Sequence, residues 1–128
     1  MSNNIKVIQA QDYTDVIATS TRYVEGVRTG TAGDVATAFN DEAMMYGFIN
    51  GERFDGPISN LYDFIKVNGG APELSTHLDV IAITPTTAVV RVELEKDALG
   101  ADFTDFLTLL KEDGAWRIIV NVYHQYNV

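Results

Sequence analysis

LLKEDGAWRI, residues 109–118, places a polar turn with one glycine between two runs rich in apolar residues. Apolar, β-branched and aromatic residues on both sides of such a turn are typical of a β-hairpin. If Glu112-Asp113-Gly114 is a three-residue loop, the pairing brings Phe106 opposite Val120. The register of this hairpin therefore decides which side chains face the interior of the predicted sheet.

This register gives the last two strands an apolar inner face and a mixed outer face. The predicted inner side chains are Thr104, Phe106, Thr108, Leu110, Trp116, Ile118, Val120, Val122 and His124. The predicted outer side chains are Phe103, Asp105, Leu107, Leu109, Arg117, Ile119, Asn121 and Tyr123. Because the outer set is too apolar for full exposure, we expect a homodimer that buries it through Leu107, Leu109, Ile119 and Tyr123.

The two strands before this hairpin, residues 74–84 and 87–96, show the same alternation. An odd loop length around Pro85 places Val90 and Val92 on the inner face. The charged residues then pair on the outer face, His77 with Glu93 and Asp79 with Arg91. A two-residue loop would bury charge, so we expect the odd register and a surface role for His77.

The first half of the chain predicts three helices and a hairpin. Apolar residues at three- and four-residue spacing predict a helix over residues 13–29, with Asp12 as N-cap and Gly30 at its end. A short helix from Thr31 to Phe39, a hairpin turning at Asn50-Gly51 and a helix from Gly56-Pro57 to Gly69-Gly70 follow. Four strands at residues 74–84, 87–96, 102–111 and 115–126 complete the chain as a meander. Helices ahead of strands indicate one α+β domain over residues 1–128.

Composition excludes several classes of function. The chain has 128 residues and a net charge of -9, so binding to nucleic acid or to an anionic membrane is not expected. It contains no cysteine, which excludes disulfides, thiol nucleophiles and thiolate metal sites. Motifs of nucleotide-binding proteins, serine hydrolases and zinc proteases are absent. We therefore expect no cofactor and no metal.

The expected cellular location follows from the lack of a membrane-spanning segment and of a secretory signal. No apolar run approaches the roughly 20 residues that a membrane-spanning helix requires. Met1-Ser2-Asn3-Asn4 lacks the basic and apolar regions of a secretory signal. We therefore expect a cytoplasmic protein with no membrane partner.

Two stretches resemble the nuclear transport factor 2-like superfamily. The first is Arg22-Tyr23-Val24-Glu25-Gly26 with Asp34 and AFNDEAMM at residues 38–45, and the second is residues 109–118. The similarity covers nearly the whole chain and extends to the branch labelled lumazine-binding. It implies a cone in which a curved antiparallel sheet wraps the long first helix and leaves an apolar cavity, commonly in a homodimer.

The superfamily includes ketosteroid isomerases, cyclases, dehydratases and non-catalytic modules, so the fold alone does not give the function. The resemblance places the isomerase oxyanion-hole tyrosine on Tyr23, the general base on Gly47 and the protonated aspartate on Phe106. Asp105 is one position away, and strand alternation predicts it on the opposite face. With one of three groups present, steroid-type isomerisation is not expected.

Our leading hypothesis is a protein without strong catalysis that binds a small apolar or aromatic molecule between the first helix and the sheet. The predicted pocket residues are Tyr23, Val27, Met45, Gly47, Phe54, Phe64, Val90, Val92, Phe106, Trp116, Ile118, Val120, Val122 and His124. The alternative is a cyclase, dehydratase or isomerase-like enzyme that uses Tyr23 and His124, which must then meet in one cavity. A second alternative is a non-catalytic dimerisation module.

Structural roles stay open for several of these residues. Tyr23 is either a hydrogen-bond donor to a ligand or a core aromatic, and His124 either contacts the ligand or is a solvated terminal histidine. Asp41 and Glu42 are predicted as solvated loop charges. Tyr46, Phe54, Tyr62, Phe64 and Trp116 either stack on a planar ligand such as a pteridine or fill the core.

Overall fold

The computed structural model describes residues 5–126, which form three helices and six strands. The elements are α1 Ala10–Thr29, α2 Ala32–Ala36, β1 Phe39–Ile49, β2 Glu52–Pro57, α3 Ser59–Asn68, β3 Ser75–Ile83, β4 Thr87–Glu95, β5 Phe103–Glu112 and β6 Ala115–Gln125. Residues 1–4, on which the expectation about a secretory signal rested, lie outside the described residues. Between residues 5 and 126, no helix has both the length and the apolar character to cross a membrane.

The six strands form one curved, open sheet in the order β2-β1-β6-β5-β4-β3. The predicted meander is present from β3 to β6, and the predicted first hairpin is β1 and β2. The hairpin joins the meander through a parallel pairing of β1 with β6, where the sequence predicted antiparallel strands only. The long helix α1 packs against β3 and β6. The predicted α+β cone fold is therefore confirmed.

Two helix starts differ from the prediction. Helix α1 begins three residues early, so its N-cap is Gln9 and Asp12 lies inside the first turn. The Asp12 carboxylate is buried, and it accepts hydrogen bonds from Lys111 Nζ at 2.9 Å and Trp116 Nε1 at 3.3 Å. Asp12 thus joins the helix to the β5–β6 hairpin. Helix α3 begins at Ser59 because Gly56-Pro57 completes strand β2.

Three helix ends were also predicted, and α3 ends at Asn68, directly before Gly69, as expected. Gly30 ends α1 in the left-handed conformation, as expected. Helix α2 ends at Ala36, before the predicted Phe39, because Phe39 already pairs with Ile118 of β6.

The β5–β6 turn is shorter than predicted. Glu112 pairs with Ala115, so the loop is the dipeptide Asp113-Gly114, in which both residues have positive φ angles of 51° and 77°. Two such residues form the tight turn that matches the twist of a hairpin. A loop one residue shorter shifts the pairing by one position, which reverses the two faces of β5. Asp105, Leu107 and Leu109 therefore point inward and are buried.

A β-bulge then reverses the second half of β6. Leu109 pairs with Ile118 and Thr108 pairs with Val120, so Ile119 is an extra residue in β6. Before the bulge, Trp116 and Ile118 face inward as predicted. Beyond it the inward residues are Asn121 and Tyr123, while Val122 and His124 face outward.

The predicted dimer contact is therefore wrong. Leu107 and Leu109 are fully buried, and Tyr123 is 7% exposed, all on the inner face. A row of exposed apolar side chains lies instead on the opposite face, where Tyr46 pairs with Val122 and Val122 with Phe106.

The β3–β4 pairing from His77 to Val80 is the predicted one, but the predicted odd loop length is wrong. Ile83 pairs with Ala88, which leaves an even number of loop residues, and an extra residue at Ile81 restores the predicted pairing. Asp79 and Arg91 are paired and form an ion pair of 2.9 Å. His77 lies opposite Glu93 as predicted, but its ring contacts Asp79 at 3.1 Å instead. Val90 and Val92 face inward and are fully buried.

Candidate functional site

A cavity of about 310 Å³ lies between α1, α3 and the inner face of the sheet, beside the loop that joins β4 to β5. We call it the cone cavity. Its volume is in the range of small-molecule sites. The apolar lining comprises Val27, Met45, Ile49, Phe54, Leu61, Phe64, Ile65, Leu94, Ala98, Leu99 and Phe103. Phe54 and Leu99 are 56% and 65% exposed, so they mark the mouth.

Three polar side chains meet at the wall formed by α1, β5 and β6. The Tyr23 hydroxyl donates a hydrogen bond to Asp105 Oδ2 at 2.5 Å, and Asn121 Nδ2 donates to the same oxygen at 3.0 Å. All three residues line the cone cavity and are at most 4% exposed. Both neighbours bond Oδ2, so Asp105 Oδ1 accepts no hydrogen bond from the described residues. It is the carboxylate oxygen left for a ligand.

Burial controls the protonation of this cluster. Desolvation raises the pKa of Asp105 from 3.8 to about 6, against the hydrogen bonds from Tyr23 and Asn121, which lower it. Desolvation and the adjacent charge of Asp105 raise the pKa of Tyr23 well above its ordinary value. At neutral pH the pair is therefore a carboxylate beside a neutral phenol. A carboxyl group with a pKa near 6 is suited to taking up and returning a proton.

Asn121 has an unusual environment for a buried amide. The residue is 1% exposed, and its Oδ1 has no hydrogen-bond partner among the described residues. A buried carbonyl oxygen without a partner destabilises a fold by about 1–3 kcal/mol. The Oδ1 atom itself has almost no accessible surface, so the amide contributes to the site through its hydrogen bond to Asp105.

Gly47 permits a close approach of two strands beside the cavity. A Cβ atom at this position would lie 2.1 Å from the Tyr123 backbone oxygen and 2.7 Å from the Tyr123 ring. The ring therefore occupies the space over Gly47, and its hydroxyl donates to the Phe54 carbonyl oxygen at 2.8 Å. Gly47 itself does not line the cavity, so the pocket role predicted for it is not supported.

The structure separates the predicted pocket residues into three groups. Tyr23, Val27, Met45, Phe54 and Phe64 line the cone cavity. Val90, Val92, Trp116 and Ile118 are buried in the core outside the cavity lining. Phe106, Val120, Val122 and His124 lie on the outer face, where Phe106 and Val122 are 42% and 46% exposed. Their predicted inward orientation is wrong, because it rested on a three-residue turn and a regular β6.

The predicted pairing of Tyr23 with His124 is also wrong, because the two lie on opposite sides of the sheet. The predicted aromatic cage does not form either. Phe54 and Phe64 line the cavity, whereas Tyr46 lies on the outer face and Trp116 in the core. Asp41 and Glu42 are exposed, as expected, but they lie within strand β1 and not in a loop.

Sequence reasoning missed Asp105, Asn121 and Tyr123, all of which it assigned to the outer face. A signal for Asp105 was present, because Asp-Gly is a strong two-residue turn signal and the shorter turn directs Asp105 inward. No comparable signal marks the bulge at Ile119, which directs Asn121 and Tyr123 inward.

Comparison with known proteins agrees with this architecture. Residues 11–124 match the sequence model of the family described as "Putative lumazine-binding". Aldolase FrzH from a Cladobotryum species is 40% identical over 121 residues, covering 94% of this chain and 97% of that protein.

Two solved structures are similar along nearly their whole length. A nuclear transport factor 2-like protein from Methylobacillus flagellatus has a TM-score of 0.87 and 30% identity, with 94% of this chain and 96% of that chain covered. One from Shewanella baltica has a TM-score of 0.86 and 28% identity, with 95% and 99% covered. The chain belongs to the lumazine-binding family of the nuclear transport factor 2-like superfamily.

Proposed function

We propose that this protein catalyses an aldol-type reaction, in which a proton is removed from the carbon beside a carbonyl group and a carbon–carbon bond is made or broken. The observation that carries the proposal is the Asp105 carboxyl group. It is 2% exposed, lines the cone cavity and keeps Oδ1 free of hydrogen bonds from the described residues. An aldolase that is 40% identical over 94% of this chain supports the same chemistry.

The proposed reaction needs only one group to carry the proton. Asp105 Oδ1 takes the proton from the carbon beside the carbonyl, and the carbon–hydrogen electron pair forms an enolate. The enolate carbon then attacks an aldehyde or ketone, and Asp105 returns the proton to the new alkoxide oxygen. Atoms and charge balance, and the acid and base steps share one carboxyl group with a pKa of about 6.

Tyr23 and Asn121 position this carboxyl group. Their hydrogen bonds to Oδ2 favour the ionised form of Asp105, which opposes the effect of burial. They also fix the rotation of the carboxylate, so that Oδ1 faces the cavity. The apolar walls limit competition by water for the enolate.

The test uses deuterium exchange at carbon. Wild-type protein is incubated in D2O with a panel of small apolar aldehydes and ketones, and deuterium incorporation beside the carbonyl is followed by NMR. We expect Asp105→Asn to lower the exchange rate by about 10²–10⁴-fold, the usual contribution of a general base. Tyr23→Phe is expected to lower it less and to shift the apparent pKa of the rate upward, because Asp105 loses a donor.

Controls separate these effects from changes in charge or folding. Asp113→Asn removes one negative charge at the exposed β5–β6 turn and should leave exchange unchanged. Tyr13→Phe removes the hydroxyl group of an exposed tyrosine in α1. It is the control for Tyr23→Phe and should also leave exchange unchanged. Exchange by Asp105→Asn at the wild-type rate would contradict the proposal.

Ligand binding without catalysis is the second candidate, favoured by the largely apolar lining of the cone cavity. This second candidate is the leading hypothesis from the sequence, in which the protein binds a small molecule without strong catalysis. It predicts that apolar carbonyl compounds stabilise the protein against heat without deuterium exchange, since a ligand bound only to the folded state raises its stability.

Assembly is a separate part of the proposal. A contiguous apolar row crosses the outer face from Tyr46 through Val122 to Phe106, and each of the three side chains is at least 36% exposed. A row of this kind is typical of a contact between subunits. We propose that a second copy of the chain covers it in a homodimer.

A further inference from the structure

We infer that the substrate of the cone cavity carries a positively charged nitrogen, which Asp97 binds while the carbonyl group lies at Asp105. This inference rests on the proposed carbonyl chemistry of the same cavity and names the class of substrate. It follows from the charges and hydrogen-bond acceptors of the lining.

The cavity wall is acidic without a compensating base. Asp55, Asp97 and Asp105 line it, and no lysine, arginine or histidine does so within residues 5–126. Asp55 is already paired with Arg53 at 2.8 Å. Asp97 and Asp105 have no ion-pair partner in the described part of the chain. A cavity with this charge favours a cationic ligand and disfavours carboxylates and phosphates.

Asp97 is held in a fixed orientation. Its Oδ1 accepts hydrogen bonds from the backbone N–H groups of Leu99 and Ala101, both at 2.9 Å. Its Oδ2 accepts none from the described residues and remains for a ligand. The pKa of Tyr23 is raised mainly by desolvation and by Asp105, and the negative charge of Asp97 adds a smaller contribution.

The buried end of the cavity also presents an unpartnered acceptor. Asp105 Oδ1 lacks a donor among the described residues, although Asp105 is only 2% exposed. The Tyr23 hydroxyl is committed to Asp105, and the Tyr123 hydroxyl to the Phe54 carbonyl. A complementary ligand therefore brings hydrogen-bond donors, as a protonated amine does.

The chemistry favours a cation for a second reason. Asp105 becomes neutral when it takes the proton, so the negative charge passes to the enolate, which forms in a cavity that also holds the Asp97 carboxylate and has no cationic side chain among its described lining residues. A positive charge on the substrate offsets the developing enolate charge. The substrate class that fits both the acceptors and the reaction is thus an amino ketone or amino aldehyde.

The test compares three ring ketones of nearly equal shape. They are 4-oxopiperidinium, which is cationic at neutral pH and carries N–H donors, cyclohexanone, which is neutral, and 4-oxocyclohexanecarboxylate, which is anionic. Calorimetry of the full chain gives each Kd. We expect the cation to bind about tenfold or more tightly than the neutral ketone, and the anion most weakly. Asp97→Asn should reduce the preference for the cation to about threefold or less, and asparagine retains Oδ1 as acceptor for both loop amides.

Asp113→Asn is the matched control, because it removes the same charge far from the cavity and should keep the preference. A cation preference below about twofold in wild type, an unchanged preference in Asp97→Asn, or no binding of any ketone overturns the inference. Deuterium exchange of the same ketones tests the proposed function separately. Exchange that depends on Asp105 but shows no preference for the cation would support the proposed reaction and contradict the charged substrate. A preference for the cation that depends on Asp97, without any exchange, would support the cation site and contradict the proposed reaction.

Discussion

Each face of the β5–β6 hairpin contains residues that depart from the usual distribution of side chains, and the departures are of opposite kinds. The inner face buries Asp105 and Asn121 almost completely, whereas the outer face leaves Phe106 and Val122 more than 40% exposed. Sheets with one solvated face usually bury the apolar side. Each departure lowers the stability of the isolated chain, because buried polar groups are desolvated and exposed apolar groups stay hydrated. The buried polar groups of the inner face are the basis for the proposed ligand, and the exposed apolar row of the outer face is the basis for the proposed partner.

In the second half of β6, the extra residue Ile119 determines which side chains face inward. Without the bulge at Ile119, alternation from Ile118 would direct Val122 inward and Asn121 outward. The parallel pairing with β1 supports the bulged arrangement, since Tyr123 fits over Gly47 and bonds the Phe54 carbonyl only from the inner face. Local packing thus outweighs the preference of Val122 for burial.

Insertion of one alanine between Val120 and Asn121 should produce the largest effect. The insertion reverses the alternation of the residues that follow it, so it directs Val122 and His124 inward and removes both the Tyr123 hydrogen bond and the Asp105–Asn121 contact. We expect a loss of at least about 5 kcal/mol of unfolding free energy, comparable with the whole stability of a small domain. Urea denaturation followed by circular dichroism measures it. Deletion of Ile119 is the matched control, because it leaves Asn121 and Tyr123 facing inward and should cost much less. An insertion variant with the wild-type urea midpoint would show that alternation beyond the bulge does not fix the faces.

The sequence predicted the elements of the fold far better than their register. Residue spacing and turn signals located the helix that ends at Gly30 and the turn at Asn50-Gly51, because these signals are local. The faces of β5 and β6 depend on one residue in a turn and one in a bulge, and either shift reverses alternation. The parallel contact of β1 with β6 joins residues far apart in the chain, so local pattern carries no information about it.

The candidate site was predicted in part for the same reason. Tyr23, Val27 and Phe64 lie on helices, where periodicity gives the inward side reliably. Asp105 and Asn121 lie on strands whose faces had been reversed. Because a charged residue is rarely buried, composition also argued against placing Asp105 inside.

The pH dependence of stability should show the second largest effect, and it tests the inner face alone. The pKa of Asp105 is higher in the folded chain, about 6, than its ordinary value of 3.8. The folded protein therefore binds more protons between these values, so the Asp105 contribution is fully present below about pH 4 and is lost as the pH rises through about 6. The loss is roughly 3 kcal/mol. Asp105→Asn should lack it.

The measurement is the difference in unfolding free energy between wild type and Asp105→Asn at several pH values. Asp12 and Asp79, whose lowered pKa values act in the opposite direction, are shared by both proteins and cancel in this difference. The wild type should lose stability relative to Asp105→Asn on going from pH 4 to pH 7. A constant difference would mean that Asp105 is not desolvated, and the inner face would lose its reason to differ from the outer one.

Charge on the outer face should have the smallest effect on folding and a clear effect on assembly. Val122→Glu lies between Tyr46 and Phe106 in the exposed row, so the isolated chain should change by only about 0.5 kcal/mol. In a dimer the same glutamate would be buried against its copy, so light scattering after size exclusion should show half the wild-type mass. Ile81→Glu places the same charge on β3, at an apolar side chain that is 53% exposed outside this row, and should leave the mass unchanged. A monomeric wild type, or a dimeric Val122→Glu, would remove the second copy from this face. The exposure of Phe106 and Val122 would then need another partner, whereas the cavity on the inner face would keep its assignment.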